Sequence, residues 1–411
     1  MSLEDAHRVA PEEAMMNGSG TEMEIVSVDS KHSLKRTASG LSAVKGLTIS
    51  LHHVGVQVTK RTGCFGPRQS KTVLSNVTGC ISAGEMYGLM GPSGAGKTTL
   101  LDVISHRLRS PAKRFGDVLY DGHRPTMSEV RRDASYVEQN DDVLSSMGHF
   151  TVFEAVLFAA MCKLPSTMTK AEKVKRVGEV LKQMSLEGAR ATVLGNPGVG
   201  LRGISGGERK RCAISMGLLY NPRAIFLDEP TTGLDSAMAA EVMHIVKGQL
   251  QGLGCTLVVT IHQPSPVIYD LLDQLILLKA GRVIYYGAGG MAPCTVFAKL
   301  GYPYRQGYNI AEFLLETVTD KGGSCDFAAE YEDSEQATVC AQKAGKIWQE
   351  FTENGKSDSR DSFVPRKFST TLADADGSNL MYYANGPLRE IWILLRYRVA
   401  VKWRMGWFIA S

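Results

Sequence analysis

Gly91-Pro92-Ser93-Gly94-Ala95-Gly96-Lys97-Thr98 fits the pattern G-x-x-x-x-G-K-[ST], and no other stretch constrains the chain as much. The apolar residues over 85–90 predict a strand before it, and Thr98 to Leu108 predict a helix after it. In that setting a glycine-rich turn lets backbone N–H groups close around phosphate oxygens at a helix N-terminus, where the helix dipole favours negative charge. Lys97 is placed to reach the outer phosphates, and the Thr98 hydroxyl to hold Mg²⁺, with Thr99 beside it. A loop of this kind is built on a strand–turn–helix unit, so an α/β fold around a parallel sheet is expected.

The remaining patterns agree with that fold. Leu47, Ile49 and Leu51 alternate with other residues, and Val54, Val56 and Val58 resume the alternation one residue out of phase, so two strands or one bulged strand is expected. Val73 to Ile81 reads as a further strand. Ala224 to Leu227, Thr256 to Ile261 and Gln274 to Leu278 are short continuous apolar runs that suit buried parallel strands. Phe153 to Leu186 is helical in pattern and lies between them, which makes it a helical insert.

The composition, 44% hydrophobic and 21% charged, is that of an ordinary globular protein. A net charge of +4 spread over 411 residues argues against a nucleic-acid partner. No apolar run approaches the roughly 18 to 20 residues of a membrane-spanning helix. The eight cysteines form no C-x-x-C pair and no zinc-type spacing, so reduced thiols are expected, several of them core residues. The N-terminus lacks a secretory layout. Residues 1–44 are polar and aperiodic, which predicts a disordered tail. Within it, Arg36-Thr37-Ala38-Ser39 suits a basophilic kinase, and a plain solvated tail suits the same residues. A mostly flexible linker is expected over 321–387. Beyond it, Leu388, Trp392, Leu395, Val399 and Trp403 fall at helical spacing among Arg389, Arg396, Arg398, Lys402 and Arg404. Residues 388–411 therefore read as a basic amphipathic helix lying on a membrane surface, ahead of an ordinary helix packed on the core.

Three more constellations bear on chemistry. Ala224-Ile225-Phe226-Leu227-Asp228-Glu229 is a buried strand ending in two acids. Asp228 suits the Mg²⁺ shell and Glu229 suits orienting or deprotonating a water, so the pair points to hydrolysis. Ile204-Ser205-Gly206-Gly207-Glu208 is, alone, an N-capped helix start. Gln139 in Tyr136-Val137-Glu138-Gln139, Asp235 in Gly233-Leu234-Asp235-Ser236, and His262 in Thr260-Ile261-His262-Gln263-Pro264 complete the set.

In this order the motifs resemble those of ATP-binding-cassette (ABC) ATPases: phosphate loop, Q-loop, signature, acid pair, D-loop and switch histidine. Arg202-Gly203-Ile204, Glu208-Arg209-Lys210-Arg211, Thr231-Thr232 before the D-loop, Ile261-His262-Gln263-Pro264-Ser265, Thr151-Val152-Phe153-Glu154 and Tyr308-Asn309 with Ala311-Glu312-Phe313 resemble the G (white-type) subfamily. The resemblance implies a P-loop NTPase (RecA-like) core with an antiparallel β subdomain and an inserted helical subdomain over 45–320. It implies Mg²⁺-dependent ATP hydrolysis with Glu229, His262 and Gln139 as catalytic residues. ATP would be bound by residues 91–99, Asp235 and, from a second subunit, Ser205, Gly206 and Gly207, with Thr98, Gln139 and Asp228 toward Mg²⁺. Thr151 and Glu154 would lie near the surface that meets a membrane domain. It further implies a half-transporter acting as a homo- or heterodimer, with a transmembrane domain beyond 388–411, on the cytoplasmic face of a membrane. The export of an amphipathic or lipid-like substrate follows from the same resemblance. A soluble ABC ATPase is the alternative; a GTPase switch would need an Asn-Lys-x-Asp motif, which this sequence lacks, and would leave Ser205-Gly206-Gly207 unexplained. One departure stands out: where many members stack adenine on an aromatic side chain, this sequence has Gly55, Val56, Gln57 and Val58.

Overall fold

The computed structural model describes residues 45–354 except 62–67, 141, 197, 199, 253 and 320–325. The expected tail, the membrane-surface helix and residues 355–387 lie outside the described residues.

Among the described residues the first elements form a long hairpin, β1 (Ile49–Arg61) and β2 (Arg68–Ile81). Then β3 (Met86–Met90) enters the core and the glycine-rich turn leads into α1 (Lys97–Ile104). β4 (Ala112–Tyr120) returns to β1, giving an antiparallel sheet in the order β2-β1-β4. The broken alternation in β1 is a bulge within one strand. His53 takes φ 48°, and the pairing slips between Leu51 and Val54 against β2 and between His52 and Gly55 against β4. The slip turns Leu51 and Val54, an odd number of positions apart, both into the core. α1 is shorter than expected, because His106 turns left-handed at φ 54° and the Tyr120 hydroxyl donates to the freed Ile104 carbonyl at 2.6 Å.

Next come α2 (Met127–Asp133), β5 (Ala134–Val137) and α3 (Asp142–Ser146). The helical insert follows as α4 (Val152–Lys163) and α5 (Lys170–Gln183). Thr151 with Glu154 and Thr169 with Glu172 close reciprocal capping boxes at the starts of these two helices. α6 (Gly206–Leu218) leads to β6 (Ala224–Leu227), α7 (Ser236–Gly252), β7 (Thr256–Thr260) and α8 (Pro266–Tyr269). A second hairpin, β8 (Gln274–Lys279) and β9 (Arg282–Ala288), precedes α9 (Ala292–Lys299) and α10 (Ile310–Thr319).

The second sheet runs β5-β6-β7-β3-β8-β9, parallel except for the β8–β9 pair. Its central strands are buried on both faces, which is why they read as unbroken apolar runs. Alternate residues serve two cores. Leu89, Phe226, Val258 and Ile276 face the antiparallel sheet and α1, while Met90, Ile225, Val259 and Leu277 face α4 to α7. The turns at the carboxyl ends of β3, β5, β6 and β7 thereby collect at one edge, where ligands bind in open α/β sheets.

Where the sequence suggests a linker from 321, the described part, residues 326–354, forms α11 (Phe327–Glu332) and α12 (Glu335–Asn354). Phe327 is buried between Phe297 and Tyr302, with ring centroids at 5.5 and 5.3 Å. Arg282 pairs with Asp326 at 2.7 Å and with Glu332 at 3.3 Å. On α12, Ala344 is fully buried and Trp348 packs on His52 at 4.8 Å. Ala344, Ile347, Trp348 and Phe351 keep a helical period, but the polar residues between them hide it in the average composition. Phe327→Ala is expected to cost about 3–5 kcal/mol in urea unfolding. An unchanged midpoint would return this segment to the status of a linker.

Candidate active site

The phosphate loop is a compact turn with its back braced. Gly91 (φ 148°) presses so close to β8 that a Cβ would stand 2.2 Å from the Leu278 carbonyl oxygen. Gly96 (φ 104°) would meet Leu74 at 2.7 Å, whereas Gly94 (φ 76°) faces open space. Ala95 donates its N–H to the Pro92 carbonyl at 3.1 Å and accepts from Gly281 N–H at 2.9 Å. The Gly281 carbonyl in turn accepts from Ser75 N–H at 2.8 Å, so the β8–β9 turn joins the loop to β2. Ser93, Gly94 and Thr98 are exposed, and Thr99 is half-buried. Lys97 is 6% exposed and its ammonium donates to the Gly91 and Pro92 carbonyls at 2.9 and 3.1 Å. Burial pushes its pKa below the ordinary lysine value, against the pull of Glu229 and Asp228.

The two acids follow β6 directly. Asp228 is buried, and its Oδ1 accepts from the Thr98 hydroxyl at 3.1 Å and from the Thr260 hydroxyl at 2.6 Å. The Tyr136 hydroxyl donates to Oδ2 at 3.3 Å, and Arg107 lies over the Tyr136 ring at 4.4 Å. Glu229 adopts φ 42°, and its N–H donates to Thr260 Oγ1 at 2.7 Å. Its carboxylate accepts from the Gln139 carboxamide at 2.7 Å and from the Thr232 hydroxyl at 2.9 Å. Lys210 on α6 donates to the Gln139 carbonyl at 2.8 Å. The oxygens at this corner are hydroxyl, carboxylate and carboxamide, the hard donors that Mg²⁺ takes. No group of three His, Cys, Asp or Glu side chains fit to hold a metal occurs among the described residues. A Mg²⁺ at this corner therefore fits one that completes its shell with water and phosphate oxygens.

The structure brings residues 91–99, Gln139, Asp228 and Glu229 together around the strand ends. His262 is exposed two residues past β7. Asp235 Oδ1 accepts from the Ala237 and Met238 N–H groups at 3.0 Å each, at the start of α7. Ser205 is spent on its own capping box with Glu208, accepting from Glu208 N–H at 3.2 Å. Among the described residues no hydrogen bond links Ser205, Gly206 or Gly207 to the phosphate loop, and Ser205 and Gly206 are exposed. Thr260, Tyr136, Thr232 and Lys210 were not singled out from the sequence. Thr260 and Tyr136 sit inside quoted motifs, but nothing in the sequence says which way their hydroxyls point. Where adenine stacking was in question, Val56 is wholly buried in the antiparallel core and Gln57 and Val58 are half-buried.

Residues 74–232 match the family model described as ABC transporter. The chain is 40% identical over 287 residues to ABC transporter G family member 14 of Arabidopsis thaliana, an alignment covering 69% of this chain and 42% of that protein. It is 36% identical over 293 residues to the Broad substrate specificity ATP-binding cassette transporter ABCG2 of Mus musculus, covering 71% of this chain and 43% of that one. The chain thus spans less than half the length of these curated relatives. Among solved structures, the dimeric structure of MJ0796, a bacterial ABC transporter cassette, aligns at 30% identity over 58% of this chain and 98% of its own, with a TM-score of 0.47.

Lys97→Met removes the charge that faces the loop. At a hundredfold excess of ATP over its Kd the wild type should gain about 2.7 kcal/mol of stability, and the variant should gain none in the same thermal melt. A ligand-induced rise in Tm equal to the wild type's would take Lys97 out of the site.

Proposed function

The chain carries an ABC transporter nucleotide-binding cassette related to the G subfamily, and from that premise we propose that it hydrolyses ATP to drive a half-transporter. The observation that carries this reading is the pair of bonds Thr98–Asp228, 3.1 Å, and Gln139–Glu229, 2.7 Å. They bring the start of the phosphate-loop helix, the acid pair and the glutamine into one corner.

The roles follow from chemistry. Backbone N–H groups of Ser93, Gly94 and Gly96 and the Lys97 ammonium cradle the phosphates, with Thr98 and Thr99 at the helix start. Thr98, Asp228 and Gln139 face the position of Mg²⁺, which when bound screens the charge building on the β- and γ-phosphate oxygens. Glu229 orients the attacking water and takes its proton as the bond from the γ-phosphorus to the leaving oxygen breaks. His262, exposed on the same edge, contacts the γ-phosphate. Gln139 joins this corner to α6, because its carbonyl is held by Lys210 on that helix.

Ser205 and Gly206 are exposed at the start of α6 with Gly207 buried behind them, and the described residues hold one set of motifs. A second cassette subunit, identical or not, presents its copy of these residues and of Asp235 to the nucleotide. Closing and reopening of the pair moves a transmembrane domain; no helix among the described residues is long and apolar enough to cross a membrane. Thr151 and Glu154, which cap α4 together, lie toward that domain. Residues 388–411 rest on the cytoplasmic membrane surface, and the cargo is amphipathic or lipid-like.

Glu229→Gln is expected to bind ATP and lose hydrolysis by at least about a hundredfold, accumulating an ATP-locked dimer on size exclusion. Turnover at the wild-type rate would remove Glu229 as the base. Specific activity should also fall on dilution, and a value constant down to a demonstrated monomer would exclude the shared site.

A further inference from the structure

Among the described residues, the Thr260 hydroxyl is the one side-chain group that bonds both to Asp228 and to the backbone of Glu229. Thr260 ends β7 and is wholly buried. The register of β6 with β7, Phe226 opposite Val258 and Leu227 opposite Val259, brings Thr260 beside Asp228 at the next position. A hydroxyl has one proton and two lone pairs. With the proton given to Asp228 Oδ1 at 2.6 Å, a lone pair is left for the Glu229 N–H at 2.7 Å. The bonds run head to tail into a carboxylate, an order in which each strengthens the next.

Glu229 needs such a hold. Its φ of 42° is left-handed, a conformation that costs a residue with a Cβ about 1–2 kcal/mol. The Glu229 side chain points toward Gln139 and Thr232 because the backbone twists at that residue. Relaxation to an ordinary φ would swing the carboxylate away from this corner while leaving Asp228 on its strand end.

We propose that Thr260 is a positioning residue for hydrolysis. By bridging the Asp228 carboxylate and the Glu229 amide, it locks the twist that aims the Glu229 carboxylate. This rests on Glu229 acting as the base, as proposed above, and adds a residue that touches neither water nor nucleotide.

The test is carried out on the full 411-residue chain. Thr260→Val keeps the branched shape and loses the hydroxyl, and Thr260→Ser keeps the hydroxyl. Thr260→Val should lower kcat by about tenfold to a hundredfold, the cost of a catalytic group misplaced by an ångström or less. The KM for ATP should stay within about twofold, and Thr260→Ser should restore most of the rate. A second readout does not depend on turnover. In Thr260→Val the Glu229 amide should lose its protection against hydrogen exchange, while the Asp228 amide, bonded to the Val137 carbonyl at 3.0 Å, keeps its own. If valine fails to fold, Thr260→Cys is read by the same two measurements. Wild-type kcat and a protected Glu229 amide in a folded variant lacking the hydroxyl would overturn this proposal, even with Glu229→Gln inactive. Full activity in Glu229→Gln would overturn the base assignment itself, a distinct failure.

Discussion

The Asp228 carboxylate is the point on which the active corner depends. It is nearly inaccessible to water, and an ionised carboxylate there would cost several kcal/mol without partners. Three hydroxyls supply them: Thr98 from the phosphate-loop helix, Thr260 from the end of β7 and Tyr136 from the end of β5. Each donor comes from a different strand-end segment, so satisfying one buried charge fixes the mutual position of four turns. The Lys97 ammonium, itself desolvated, adds its field from the adjoining turn.

The phosphate loop owes its shape to contacts from outside its own strand and helix. Its Ala95 carbonyl is held by Gly281, at φ 82° in the β8–β9 turn, and a side chain there would collide with the Val73 carbonyl at 2.1 Å. The antiparallel sheet, the second hairpin and the loop therefore close on one another where only glycine fits. The same hairpin carries Arg282, whose ion pairs reach the N-cap and C-terminal turn of α11, and Tyr286, buried in the core below α12. The C-terminal helices thus cover the back of the hairpin whose turn braces the phosphate loop.

Much of this was legible from residue order. The apolar runs at 224–227, 256–261 and 274–278 mark strands because both faces of the parallel sheet are covered. The phase slip after Leu51 marks the bulge because alternation must re-enter the same core. The phosphate loop and the acid pair were legible as candidates because each is a short pattern whose chemistry needs those residue types, and Gln139 was legible only through the resemblance to the Q-loop. Other features were hidden. The expected linker proved helical through residue 354 because the apolar face of α12 is narrow and diluted by polar residues. Ser205 looked like a helix cap and is one, so its local geometry alone does not separate capping from any role across an interface.

By itself the sequence determined the central strands of the parallel sheet and where phosphate chemistry is concentrated, because hydrophobic period and glycine turns act over a few residues. Only the tertiary structure decided the strand order β5-β6-β7-β3-β8-β9. That order brings Thr98, Tyr136, Asp228 and Thr260 within hydrogen-bond reach although up to 162 positions of chain separate them (260 − 98). The reason is physical: which hydroxyl reaches a buried carboxylate depends on sheet register and packing, and these are set by long-range contacts that no local pattern records.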